Sequence, residues 1–165
     1  MARARENENI RIGEAVTIAS GASLEATDGG VIVVGRNFSL GANARVIARR
    51  GGRIVIGDDV FLGEGVFVVA LESVVIESDA LIAEYVVIRD QDHSLSSRPI
   101  RAAGFETAPI HIGKDVWIGA KASVLRGAKI GDGAVIGAHA IVKGKISANA
   151  LAVGAPARCV RDLPR

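Results

Sequence analysis

With 165 residues, 49% of them apolar but only 4% aromatic, and a formal net charge of +2, the chain has the size of one domain with an aliphatic core. So small a charge does not argue for nucleic acid, and no stretch reaches the roughly 18 consecutive apolar residues of a membrane span. The single cysteine, Cys159, excludes an intrachain disulfide framework and points to a reducing compartment, so a cytoplasmic location is expected. Scarce aromatics predict a narrow interior with no room for rings. The 20 glycines, without a collagen-like period, suit tight corners that need positive φ.

The N-terminus, MARARENENIRIG, has no apolar run of signal-peptide length, and its polar ARENEN stretch reads as a cap. Aliphatic residues then recur in triplets six residues apart: Ile12, Ile18, Leu24; Val34, Leu40, Val46; Ile56, Leu62, Val68; Ile76, Ile82, Ile88; Ile112, Ile118, Val124; Ile130, Ile136, Val142. Gly often follows the aliphatic residue. The fifth place is small or β-branched, as at Val116, Ala122, Ala128, Ala134, Ala140 and Ile146. No helix has this period and a simple strand alternates by two, so each hexad reads as a short strand plus a turn. Three hexads close one triangular coil of a β-solenoid. About six to seven coils are expected.

Starts of successive coils are separated by 22, 22, 20, 36 and 18 residues, against the 18 of a perfect coil. Asp28-Gly29-Gly30 and Arg50-Gly51-Gly52 account for the two equal excesses and read as turns widening one corner. The spacing of 36 marks a protruding segment near 94–109, SLSSRPIRAAGFETAP, which reads as a loop. Long loops in compact domains are functional or disordered, although a surface insertion also costs little entropy. This one opens directly after Asp90-Gln91-Asp92-His93. After Val142 the beat weakens through Ile146 and Val153, and residues 154–165 form a turn and a short basic tail suited to a second cap. The whole chain, 1–165, reads as one domain.

Asp92-His93, the loop, Ile112-Gly-Lys-Asp-Val-Trp117-Ile-Gly119, Arg126-Gly127-Ala128-Lys129-Ile130-Gly131 and Gly154-Ala-Pro-Ala-Arg158 occur in this order over about half the chain. In that order they resemble the hexapeptide-repeat acyltransferases, best the branch of maltose, galactoside and capsular-polysaccharide O-acetyltransferases. The resemblance implies an all-β, left-handed parallel β-helix. It also implies a homotrimer with active sites between neighbouring subunits, acetyl-CoA as donor and a saccharide-type acceptor.

His93 is the candidate general base, since a hydroxyl attacking a thioester needs its proton removed and imidazole titrates near neutrality. The competing reading is a surface-loop histidine. Asp90 and Asp92 are candidate partners for its ring, with Glu84 a further one from the preceding hexad. Trp117 sits at a sixth place, which points out of the prism. It is read as the rim of a cleft holding cofactor and acceptor, or else as interface packing. The resemblance assigns the backbone at Gly119, Ala120 and Ala138 to the pantetheine arm, and Lys143, Lys145, Arg158 and Arg161 to CoA phosphates. Those charges also have the ordinary reading of a solvated surface. Arg98, with Ser96, Ser97 and Arg101, is a candidate for holding a polyol.

Two rivals remain at this level. The same fold carries zinc-dependent carbonic anhydrases, and His93, His111 and His139 supply the three ligands a catalytic zinc would take. Their spacing of 18 and 28 residues does not match that pattern, so no metal site is expected. A structural solenoid is the other rival, and it leaves the insertion and Trp117 without a role.

Overall fold

The computed structural model describes residues 8–164, so most of the expected N-terminal cap lies outside the described residues and only Glu8 and Asn9 fall within them. The architecture is all-β, a triangular left-handed parallel β-helix. Left-handed crossovers are the exception among parallel strands. Three sheets, parallel except for the last strand of the second, form its faces. The first has seven strands, from Ile10–Ile12 to Lys145–Ile146. The second has eight, from Thr17–Ile18 to Arg158–Asp162. The third has six, from Ser23–Ala26 to Ile141–Val142, one for each complete coil.

The hexad register is the strand register. Ile12, Val34, Ile56, Ile76, Ile112 and Ile130 stack in one column of the first sheet. Ile18, Leu40, Leu62, Ile82, Ile118 and Ile136 stack in the second. Leu24, Val46, Val68, Ile88, Val124 and Val142 stack in the third. Strands lie about 4.8 Å apart in such sheets, so from the second coil on each column is a continuous buried aliphatic rod, and the three rods with the small corner-place residues between them make the core. Ile146 departs from the expected reading. It belongs to the first column, in register with Ile130, because the last corner, Lys143-Gly144, is two residues short of a hexad. One ring does fit the interior: Phe38 is fully buried at a corner place.

Positive φ belongs to the fourth place of the hexad, where Asp115, Lys121 and His139 adopt it as well as glycines. The glycine at the second place has another cause. A Cβ on Gly119 would lie 2.6 Å from the Ala138 amide nitrogen of the next coil, so the side chain is excluded by the close stacking of corners. The two widened corners are tight turns with positive φ at Asp28 and Gly29 and at Arg50 and Gly51. They close through Gly30 N–H to Thr27 O (2.9 Å) and Gly52 N–H to Arg49 O (2.8 Å).

The insertion is more ordered than a loop and starts earlier than its pattern suggested. Gln91–His93 pairs antiparallel with Phe105–Thr107, making a two-stranded arm, and a single 3-10 turn, Ile100–Ala102, lies between the strands. The arm leaves the third sheet after Val87–Arg89 and returns to the first at Ile110–Ile112. It therefore stands on the edge where those two sheets meet, which is also the edge of the Gly-Gly turns. At the other end of the chain, Arg158–Asp162 folds back antiparallel on Ala150–Val153, with a register shift between Leu151 and Ala152. It covers the last parallel strand of the second sheet, whose open edge would otherwise be a template for aggregation.

Candidate active site

Alternation along the arm separates its neighbours. His93 lies opposite Phe105, and Asp92 lies opposite Glu106, so the two pairs look out from opposite faces of the ribbon. The His93 ring stacks on Phe105 with centroids 4.7 Å apart and planes tilted by 33°. Arg50, from the second coil, places its guanidinium 5.3 Å from the centroid of the Phe105 ring, a cation–π distance. His93 is exposed. An accessible imidazole whose ring plane is fixed by an aromatic neighbour is a suitable proton acceptor.

Within one protomer none of the three expected carboxylates orients it. Asp90 is fully buried and accepts the backbone N–H groups of Leu71 (2.9 Å), Glu72 (2.8 Å) and Ser73 (2.8 Å). Those bonds use both oxygens to close the corner of the preceding coil, a structural task that corrects its expected catalytic role. Asp92 accepts from Arg126 Nε at 2.7 Å, on the face away from His93. Glu84 sits at the edge between the second and third sheets, across the prism from the arm. Lys143 is on the arm edge and shares a small depression with Asp92, Leu125 and Arg126. Arg98 lies in the exposed segment between the arm strands, before Pro99.

A second group of expected residues gathers elsewhere. Trp117 stands on the outer face of the second sheet, 53% exposed, in one column with Phe61 and Leu81 before it. Val135, Leu151 and Arg161 follow it in the same column. Gly119 and Ala120 are the next residues toward the edge shared with the third sheet, and Ala138 occupies the same edge one coil on, where Ala120 O accepts the His139 N–H at 2.9 Å. Arg158 is on the closing strand of this face. Lys145 belongs to neither group: it lies on the first sheet, in register with Lys129. Within one protomer, the His93 group and the Trp117 group are on different sides of the prism.

The three histidines are equally dispersed. His111 is on the first sheet, its Nε2 2.8 Å from Glu77 Oε1, His139 is at the edge of the second and third sheets, and His93 is on the arm. They do not converge on one ion within a protomer, and the described residues contain no cluster of three metal-ligating side chains. Arg50, Phe105 and Glu106 were given no role from sequence, and Arg126 entered only within the motif Arg126-Gly127-Ala128-Lys129-Ile130-Gly131. Phe105 and Glu106 fell inside the segment 94–109, which the sequence showed only as a loop.

Residues 109–144 match the bacterial transferase hexapeptide family (six repeats), and residues 53–88 match the hexapeptide repeat of succinyl-transferase. Over these two stretches the chain is similar to hexapeptide-repeat transferases. It is 45% identical over 89 residues to a probable acetyltransferase of Mycobacterium tuberculosis, covering 53% of this chain and 30% of that protein. It is 35% identical over 105 residues to a putative lipopolysaccharide biosynthesis O-acetyl transferase of Escherichia coli, covering 58% and 54%. The chain thus spans between about a third and about half the length of these curated relatives. In fold it is similar to an N-acyltransferase from Bacillus cereus solved with dTDP and coenzyme A, with a TM-score of 0.79 at 20% identity over 94% of this chain and 84% of that one. It is likewise similar to a hexapeptide-repeat acetyltransferase from Vibrio cholerae solved with acetyl coenzyme A, with a TM-score of 0.71 at 24% identity over 88% and 73%.

Proposed function

We propose that this protein is an acetyl-CoA-dependent O-acetyltransferase that acetylates a hydroxyl of a saccharide, with His93 as general base. The observation that carries this reading is an exposed imidazole, stacked on Phe105, held out from a rigid rod on an ordered arm. In the reaction the imidazole takes the acceptor hydroxyl proton as its oxygen attacks the thioester carbonyl. The tetrahedral intermediate expels CoA thiolate, and the imidazolium returns the proton to sulfur. No enzyme nucleophile is required, so Cys159 has no part.

The donor and acceptor site is read as lying between copies of the chain in a homotrimer. His93 with Lys143 and Arg98 would come from the arm edge of one copy, and Trp117, Gly119, Ala120, Ala138, Arg158 and Arg161 from the second sheet of the next. Three features support this. The two groups are separated in a single protomer, Phe61, Leu81 and Trp117 form an exposed apolar column, and the basic residues Arg158 and Arg161 follow on the same sheet. A chain of small residues beside such a column leaves room for a pantetheine arm, and positive charge beyond it suits CoA phosphates. Lys145, on the first sheet, reaches that groove only if a neighbouring copy brings it there. The exposed free thiol of Cys159 fits a cytoplasmic setting, and among the described residues no helix is long and apolar enough to cross a membrane.

The test is thiol release from acetyl-CoA against a panel of free sugars, oligosaccharides and amino sugars. Acceptor-dependent release with a hydroxyl acceptor, lost in His93→Ala by roughly two to four orders of magnitude, is the expected result. Turnover unaffected by that substitution overturns the role of His93, and no release with any acceptor overturns the activity.

A further inference from the structure

The arm carries two carboxylates, Asp92 and Glu106, directly opposite each other across its strands. Like charges in that position push a ribbon apart, and a two-stranded ribbon alone is marginally stable in water. One side chain answers both problems. Arg126, at the corner of the next coil, donates from Nε to Asp92 Oδ2 at 2.7 Å and from its terminal amino group to Glu106 Oε2 at 2.8 Å. The planar fork of a guanidinium can hold two carboxylates at once in fixed geometry, which an ammonium cannot. The same corner also ties the arm's root, through Gly127 N–H to Ala108 O and Ala108 N–H to Asp90 O, both 3.0 Å.

From this we infer that Arg126 is a positioning residue for His93. It bridges the two strands of the arm on one face while His93 stacks on Phe105 on the other, so the strand that Arg126 holds is the strand that presents the imidazole. The inference rests on His93 being the base of the transfer site. Isolated surface ion pairs contribute little to global stability, so the effect of Arg126 is local: it fixes the arm on a rod that stands without it. A base displaced by about 1 Å costs on the order of 100-fold in rate.

The experiment compares wild type with Arg126→Gln, Arg126→Lys and the double variant Arg126→Gln/Glu106→Gln. Amide hydrogen exchange over 91–107 and thermal melting are measured on each, alongside kcat and KM for acetyl-CoA. In Arg126→Gln, exchange in the arm is expected to speed at least about 10-fold with the melting temperature unchanged, and kcat to fall roughly 10- to 100-fold with KM for acetyl-CoA within about twofold. Arg126→Lys is expected to recover part of kcat. The double variant, which removes one of the facing charges, is expected to recover more arm protection than a merely structural loss would allow. Arm exchange as slow in Arg126→Gln as in wild type overturns the inference, whatever the acceptor. A loosened arm with kcat unchanged overturns the positioning role. If wild type itself releases no thiol, the transfer reading fails, and the exchange measurement still decides whether Arg126 holds the arm.

Discussion

His93 and Trp117 are carried on opposite sides of one prism: His93 on the arm at the edge between the third and first sheets, Trp117 on the outer face of the second sheet. No rearrangement of side chains brings them together within a protomer, because the core of stacked aliphatic columns lies between them. A site using both must therefore draw them from two copies. His93→Ala and Trp117→Ala chains, each expected to be weak alone, should complement when co-refolded. The mixture should reach about a quarter of the wild-type rate, the share of interfaces that random mixing leaves with both residues intact. A mixture no more active than the better single variant refutes the shared site.

Asp90 looks catalytic in sequence and structural in three dimensions. Replacing it with Ala leaves the N–H groups of Leu71, Glu72 and Ser73 without their acceptor. Unfolding in urea should show a loss of about 2–4 kcal/mol for Asp90→Ala and a smaller one for Asp90→Asn, which keeps one acceptor oxygen. A fully stable Asp90→Ala protein would return this residue to the list of candidates for catalysis.

Gly119 offers a similar discrimination. In a pantetheine groove, an added methyl would weaken acetyl-CoA binding and leave the rod intact. The coil spacing predicts otherwise, because the new Cβ would stand 2.6 Å from Ala138 N and 3.0 Å from Gly137 C and Ile136 O, all backbone atoms. Gly119→Ala is expected to lower stability by about 1–3 kcal/mol, read by urea midpoint, before any effect on KM is considered. An unchanged midpoint would show that the corner can open.

The early coils are expected to lose stability in acid. Partial burial pushes the Glu25 carboxyl up, but hydrogen bonds from Ser23 and Arg45 and the charge of Arg45 outweigh it and hold it below its ordinary 4.5. Asp58 is held below its ordinary 3.8 by the Arg36 backbone N–H and then by the Arg36 guanidinium. Carboxyls with lowered native pKa bind protons more readily in the unfolded chain. Their contribution is present above 4.5 and is lost as pH falls through the lower native values. The urea midpoint should drop between pH 7 and pH 3 less in Glu25→Gln/Asp58→Asn than in wild type. Equal drops would mean that these pairs carry none of the acid sensitivity.

The coil architecture was readable because it is local and repeated. An aliphatic residue every six places, often followed by a glycine at a tightly stacked corner, sets each strand and its register with the next. That register held from Ile12 to Val142. The arm escaped the same reading, since a three-residue antiparallel pair leaves almost no periodic trace, and only the break in the beat located it. Ile146 was misread because a two-residue shortening at Gly144 moves it from a corner place into the core column.

Along the chain, then, composition and period by themselves determined a triangular rod of about six coils and one interruption beside His93. Which carboxylates are free, which residues share a face, and what holds the arm were decided only by the tertiary structure. Their partners lie one or more coils away: Asp90 acts on residues 17 to 19 earlier, and Arg126 reaches Asp92 across 34. Stacking brings such residues within hydrogen-bond distance, and spacing in sequence carries no record of which side of the prism each one faces.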